Sequence, residues 1–81
     1  LKHNVSPVRI WATWALGQIG SEEAIKALIK ALDRKDASVR WRAAAALGKN
    51  GAKVAVDKLA QALNDEEFYV RWRVASALGQ I

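Results

Sequence analysis

The chain has no cysteine and no methionine, and in 81 residues it has one histidine and one proline. Without cysteine there can be no disulfide framework and no thiolate metal site. With His3 as the lone imidazole, a zinc site would need carboxylates for its remaining ligands. A serine triad would have to recruit a histidine with nothing rigid around it. No metal and no cofactor is expected. No glycine-rich dinucleotide or Walker-type phosphate loop is present. The longest uninterrupted apolar run is Ala43 to Leu47, far short of a membrane span, so no membrane partner is expected. No stretch reads as a secretory signal or a transit presequence. Together with the missing cysteine, this makes the expected location cytoplasmic. The carboxylates are isolated from apolar stretches that would raise their pKa, so no catalytic pair can be named and the chain reads as a non-enzyme.

What is there is 52% apolar and 26% charged, with a net charge of +5. That is too apolar for a disordered tail. A chain of this size forms at most one domain and buries only about 60–65% of the surface its unfolded form exposes. Small domains of this kind usually need a covalent or metal staple. With none available, either the helices pack very regularly or something outside these 81 residues helps to hold the chain.

The regularity is visible as an internal repeat. Val8-Arg9, Val39-Arg40 and Val70-Arg71 are spaced by 31 residues, and so are Leu16-Gly17, Leu47-Gly48 and Leu78-Gly79. Laying residues 6–36 on 37–67 matches eleven of 31 positions, and laying 37–50 on 68–81 matches eight of 14. The units are thus 6–36, 37–67 and a partial 68–81, with 1–5 as the tail of a preceding unit, all in one domain over 1–81.

Each full unit reads as two helices. In the first, from about Pro7 to Gln18, Ser6 can cap and Pro7 suits the first helical position, where its missing N–H has no helical partner. Val8, Ala12, Ala15, Leu16 and Ile19 fall on one face at helical spacing and are the expected core. Gly17, recurring as Gly48 and Gly79, costs about 1 kcal/mol in a helix and implies close packing against a neighbour. Gly20 ends the helix in the left-handed conformation. The second helix runs from about Glu22 to Leu32, capped by Ser21, with Glu22 and Glu23 favouring the positive end of its dipole. The same reading gives helices from Asp36 to about Lys49, from Lys53 to Leu63, and from Glu67 to Gln80. No strand pattern occurs.

These residues resemble the short HEAT-like repeats of the phycobilisome-lyase type. Their pattern is an Asp-x-x-Val-Arg start, an Ala-Ala-x-Ala-Leu-Gly stretch, a glycine turn and a second helix ending Leu-x-x-Leu. Here it stands as DASVRWRAAAALGKNG followed by AVDKLAQAL. The resemblance covers essentially the whole chain. It implies an all-α fold, a right-handed α–α superhelix of helix pairs with about two and a half repeats in five helices. It also implies that Arg9, Arg40 and Arg71 are a structural ladder, pairing with the Asp33 or Asn64 side of the neighbouring helix end.

The aromatic residues are distributed differently. Ile10, Trp41 and Trp72 share one repeat position, nearly opposite the Val8/Ala12/Leu16 face. Trp14 lies on the same outer side, and Trp11, Arg42 and Arg73 flank it. In the resembled family these positions, with those just before Val-Arg, form the variable binding surface. The candidate partner-binding residues are therefore Trp11, Trp14, Trp41, Arg42, Phe68, Tyr69, Trp72 and Arg73. Large apolar side chains opposite a core need something further to bury against, and tryptophan with arginine is a frequent hot-spot composition.

The favoured function is a non-catalytic scaffold module that binds a partner protein on this stripe. The basic balance leaves nucleic acid as an alternative partner, although Lys26, Lys30, Lys53 and Lys58 share their helices with Glu22, Glu23 and Asp57. Repeat type alone suggests a further alternative, part of a bilin-lyase-like chromophore-binding protein. Solenoids normally need polar end units, and here both ends cut the repeat. The chain is expected to be a segment of a longer solenoid or to self-associate through its ends. Val70, Val74, Ala77, Leu78 and Ile81 are expected to be partly uncovered.

Overall fold

The computed structural model describes residues 7–81. His3, the expected Ser6 cap and the segment 1–5 lie outside the described residues. Five α-helices follow in order: α1 (Pro7–Ile19), α2 (Glu22–Ala31), α3 (Ala37–Lys49), α4 (Val56–Ala62) and α5 (Phe68–Gln80), with a 3-10 turn at Lys53–Ala55 before α4. No strand occurs among the described residues.

The ends of these helices follow from single residues. Pro7 opens α1. Ser21 caps α2, its Oγ accepting from the Ala24 N–H at 3.1 Å. The repeat-equivalent of Ser21 is Ala52, which has no hydroxyl and makes no side-chain cap. There the chain enters α4 through the 3-10 turn, so the α-helix begins at Val56, later than the pattern predicts. Asp36 caps α3 by accepting from the Ser38 N–H at 2.9 Å. Gly20 and Gly51 take positive φ, +68° and +58°, at the turns that reverse the chain. Asn50 stands where the first unit has Ile19. Its Nδ2 donates to the Gly17 and Ala46 carbonyl oxygens at 3.0 and 2.8 Å, tying the ends of α1 and α3 together.

The helices form two layers. α1, α3 and α5 lie side by side, with α3 touching both of the others. α2 packs on α1 and α3, and α4 packs on α5. Leu28, Val39, Ala43, Leu47, Leu59, Val70 and Val74 fill the space between the layers.

Two expectations about this core are corrected. Val8, Ala12, Ala15 and Ile19 are exposed and Leu16 is half-buried; the buried residues of α1 are Thr13 and Gly17. Val8 is 74% exposed, whereas its repeat-equivalent Val39 is 2% exposed. The cause is a neighbour: α2 lies ahead of α3 and α4 ahead of α5, and among the described residues nothing lies ahead of α1 in the same way. Conversely, Val70, Val74 and Ala77 are fully buried beneath α3 and α4, not partly uncovered; only Leu78 and Ile81 remain half-buried.

The recurring glycine has the role its cost implies at two of three places. A Cβ on Gly17 would lie 2.8 Å from the Ala46 Cβ, and one on Gly48 would lie 2.8 Å from the Ala77 Cα. Each glycine thus lets the next first helix approach. Gly79 has nothing within 4 Å of that position.

Candidate functional site

The side-by-side arrangement of first helices creates a groove between α1 and α3. Its volume is about 220 Å³, and Trp14, Gln18, Trp41, Arg42, Ala45 and Lys49 line it. The small residues of the repeat set its shape. Ala45 and Ala46 leave its floor low, and Gly17 lets the helices close on one another at its base.

Trp41 is half-buried and rests on the hydrophobic core. The Arg42 guanidinium carbon lies 4.7 Å from its ring centroid, and that of Arg73, from α5, lies 5.3 Å away. Arg73 also covers Trp72 at 4.8 Å. One arginine therefore bridges the tryptophans of two adjacent repeats, with the cation held by the ring quadrupoles. Trp41 accordingly packs inward while also forming one wall of the groove. Trp14 and Trp72 are different: they are 58% and 61% exposed.

The structure thus brings Trp14, Trp41 and Arg42 together and joins Arg73 and Trp72 to them. Trp11 is exposed but does not line the groove. Phe68 and Tyr69 sit at the start of α5 and meet each other edge to face, with centroids 6.1 Å apart. Lys49 was not among the residues expected from sequence. It stands four positions after Ala45 and seven after Arg42, on the same helix face, and that spacing is the signal that would have found it.

The arginine ladder has its strongest rung at Arg40. Its guanidinium donates to both Asp65 carboxylate oxygens, Nε to Oδ2 at 2.7 Å and Nη2 to Oδ1 at 3.1 Å. Nη1 donates to the Arg34 and Lys35 carbonyl oxygens at 2.8 and 2.7 Å. Both side chains are about nine-tenths buried. The Asp65 hydrogen bonds raise the Arg40 guanidinium above its ordinary pKa. Desolvation alone would push the Asp65 carboxyl up. The hydrogen bonds from Arg40 and the Glu67 N–H outweigh it and hold the group below the usual carboxylate range.

Asp33 is not part of this ladder, contrary to expectation; it pairs with Lys58 at 2.8 Å. The Arg40 side chain instead reaches the connection after α4, where Asp65 stands. Arg71 also uses that connection, donating to the Asp65 carbonyl oxygen. Arg9 is exposed and borders a cleft with Thr13, Leu16 and Arg34. By repeat register Arg34 is the counterpart of Asp65, so the first unit places a cation where the second places the ladder's carboxylate.

Among the described residues no His, Cys, Asp and Glu side chains group as a metal ion would need. No described helix is long and apolar enough to cross a membrane. No curated protein matches the chain closely. A family model of HEAT repeats matches residues 1–79. Modules of this kind are generally scaffolds for contacts between proteins and are typically non-catalytic. With the match extending over almost the whole chain and the helices packed in pairs along one repeating register, the chain belongs to the HEAT-repeat family.

Proposed function

We propose that the chain is a non-catalytic interaction module that binds a partner protein through the tryptophan–arginine face of α1, α3 and α5. Within the family we place it with the short repeats of the phycobilisome-lyase type, on the strength of the Val-Arg and Ala-Leu-Gly positions recurring in register. The observation that carries the reading is the α1–α3 groove, walled by an exposed Trp14 and a core-anchored Trp41. A rigid, partly apolar slot beside exposed aromatic rings is what a hot-spot side chain of a partner buries against.

The same geometry weighs against a chromophore. About 220 Å³ is below the roughly 300–1,000 Å³ of small-molecule pockets and suits one inserted side chain better than a tetrapyrrole.

The test is site-specific photo-crosslinking. A photoreactive residue at Trp14 should capture a discrete partner protein, identified by mass spectrometry, and Trp72→Ala should reduce that capture several-fold in a chain of unchanged helicity. Equal capture from a photoreactive residue at Lys26, on the exposed side of α2, would count against the reading.

A further inference from the structure

The charges divide between the two helix layers. α1, α3 and α5 together carry six basic residues and no Asp or Glu. All eight acidic residues lie in α2, in α4 or in the connecting segments. Along the chain the charges look mixed, yet the fold gathers the excess of positive charge onto the first-helix layer.

Two of those six cations already have oxygen partners, Arg40 on Asp65 and Arg71 on the Asp65 carbonyl. Of the other four, Arg42 and Lys49 line the groove, Arg73 lies over the ring of Trp41, which lines it too, and Arg9 stands apart from it. Among the described residues the ion pairs are Arg40–Asp65 and Lys58–Asp33, so none of Arg42, Arg73 and Lys49 meets a carboxylate. Lys49 donates to the Gln18 amide oxygen at 2.6 Å, a neutral acceptor. The Nε atoms of Arg42 and Arg73 are buried without a hydrogen-bond acceptor. Two cations lining an apolar slot of side-chain size and a third over the tryptophan that walls it, none with a carboxylate partner, are complementary to an apolar residue flanked by carboxylates.

A nucleic acid fits less well. Bases bind such surfaces by stacking on open aromatic faces. Here guanidinium groups already lie over both Trp41 and Trp72.

We propose that the α1–α3 groove binds an acidic peptide segment of a partner protein. An aliphatic side chain of that segment sits between Trp14 and Trp41, and its flanking carboxylates meet Arg42, Arg73 and Lys49. This rests on the docking face proposed above and adds the chemistry of what docks there.

The experiment is a tryptophan-fluorescence titration of the full chain with a capped peptide carrying a single leucine flanked by glutamates. Its comparators are the same peptide with glutamine for glutamate, the same with serine for leucine, and a single-stranded oligodeoxynucleotide. The glutamate–leucine peptide should bind about tenfold or more tightly than either altered peptide and weaken as salt is raised. Lys49→Gln, at an exposed position, should lower its affinity several-fold while leaving the thermal midpoint unchanged. Equal binding of the glutamate and glutamine peptides overturns the proposal, as does no measurable binding at millimolar peptide. Tighter binding of the oligonucleotide overturns it in favour of nucleic acid. If the crosslinker at Trp14 captures a partner while the peptides show no preference for glutamate, the docking face stands and the acidic class falls. If both experiments fail, both readings fall.

Discussion

Asp65→Ala should remove about 3 kcal/mol of folding stability, the order measured when one partner of a buried ion pair is deleted and the other is left behind. Arg40 would keep its two bonds to the Arg34 and Lys35 carbonyls, but its charge would stay nine-tenths buried with no counter-ion. The Glu67 N–H at the start of α5 would also lose its acceptor. For a domain of this size, with total stability of roughly 4–12 kcal/mol, that is a large share. The measurement is a urea midpoint at constant slope. Arg40→Lys should recover little, because an ammonium cannot span the carboxylate and two carbonyls at once. Replacing both partners with apolar residues, Arg40→Met with Asp65→Leu, should cost far less than either deletion, since no buried charge is then stranded.

The pair also sets a pH dependence. The Asp65 carboxyl is held below its ordinary 3.8 in the folded state. Its contribution is therefore complete above that value and is lost as pH falls through the lower folded value. The stability gap between the parent chain and Asp65→Asn should accordingly be constant near neutrality and shrink as pH is taken from about 5 to about 2. A gap that persists unchanged at the acid end would mean the carboxylate's charge is not what Arg40 requires.

Gly48→Ala and Gly79→Ala should move stability in opposite directions, although the two residues occupy the same place in the repeat. Both substitutions gain about 1 kcal/mol of helix propensity. At Gly48 the new methyl lies 2.8 and 2.9 Å from the Ala77 Cα and Cβ, and backbone cannot yield as a flexible side chain does. Overpacking of this kind costs about 1–3 kcal/mol, so α3 and α5 must separate and the net change should be destabilising by up to about 2 kcal/mol. At Gly79 nothing lies within 4 Å, and the propensity gain should appear almost undiminished. Because the propensity term is common, the difference between the two midpoints isolates the steric contact. Equal shifts would show that the α3–α5 approach is looser than described.

Much of the architecture can be read locally. Pro7, Ser21 and Gly20 mark helix boundaries because capping and left-handed backbone depend on the residue itself and the few beside it. The helices found agree with those boundaries within a residue or two, apart from α4, where Ala52 cannot do what Ser21 does. The repeat register extends this reach, since Val39 and Val70 foretell each other's burial.

The candidate site was legible only as a composition. Trp14, Trp41 and Arg42 could be placed on an outer side of their helices, but not joined into a groove with Lys49. The position of Arg73, over the tryptophans of two successive repeats, depends on how closely α5 approaches α3.

Periodicity states which side of a helix is apolar; it does not state what covers that side. Val8 and Val39 occupy the same place in the repeat and have opposite exposure, because among the described residues only Val39 has a second helix packed ahead of it. Arg40 can be recognised as a framework residue paired at the Asp33 or Asn64 end of a neighbouring helix, but the sequence does not say which; the partner is Asp65, next to Asn64, and not Asp33. The carboxylate that meets it stands 25 positions along the chain, brought near by the return of α4. Helix type and helix ends follow from interactions within a few residues, and the repeat length is written in the sequence itself. Burial, charge partners and the segregation of positive charge onto one layer arise between residues tens of positions apart, and only packing brings those together.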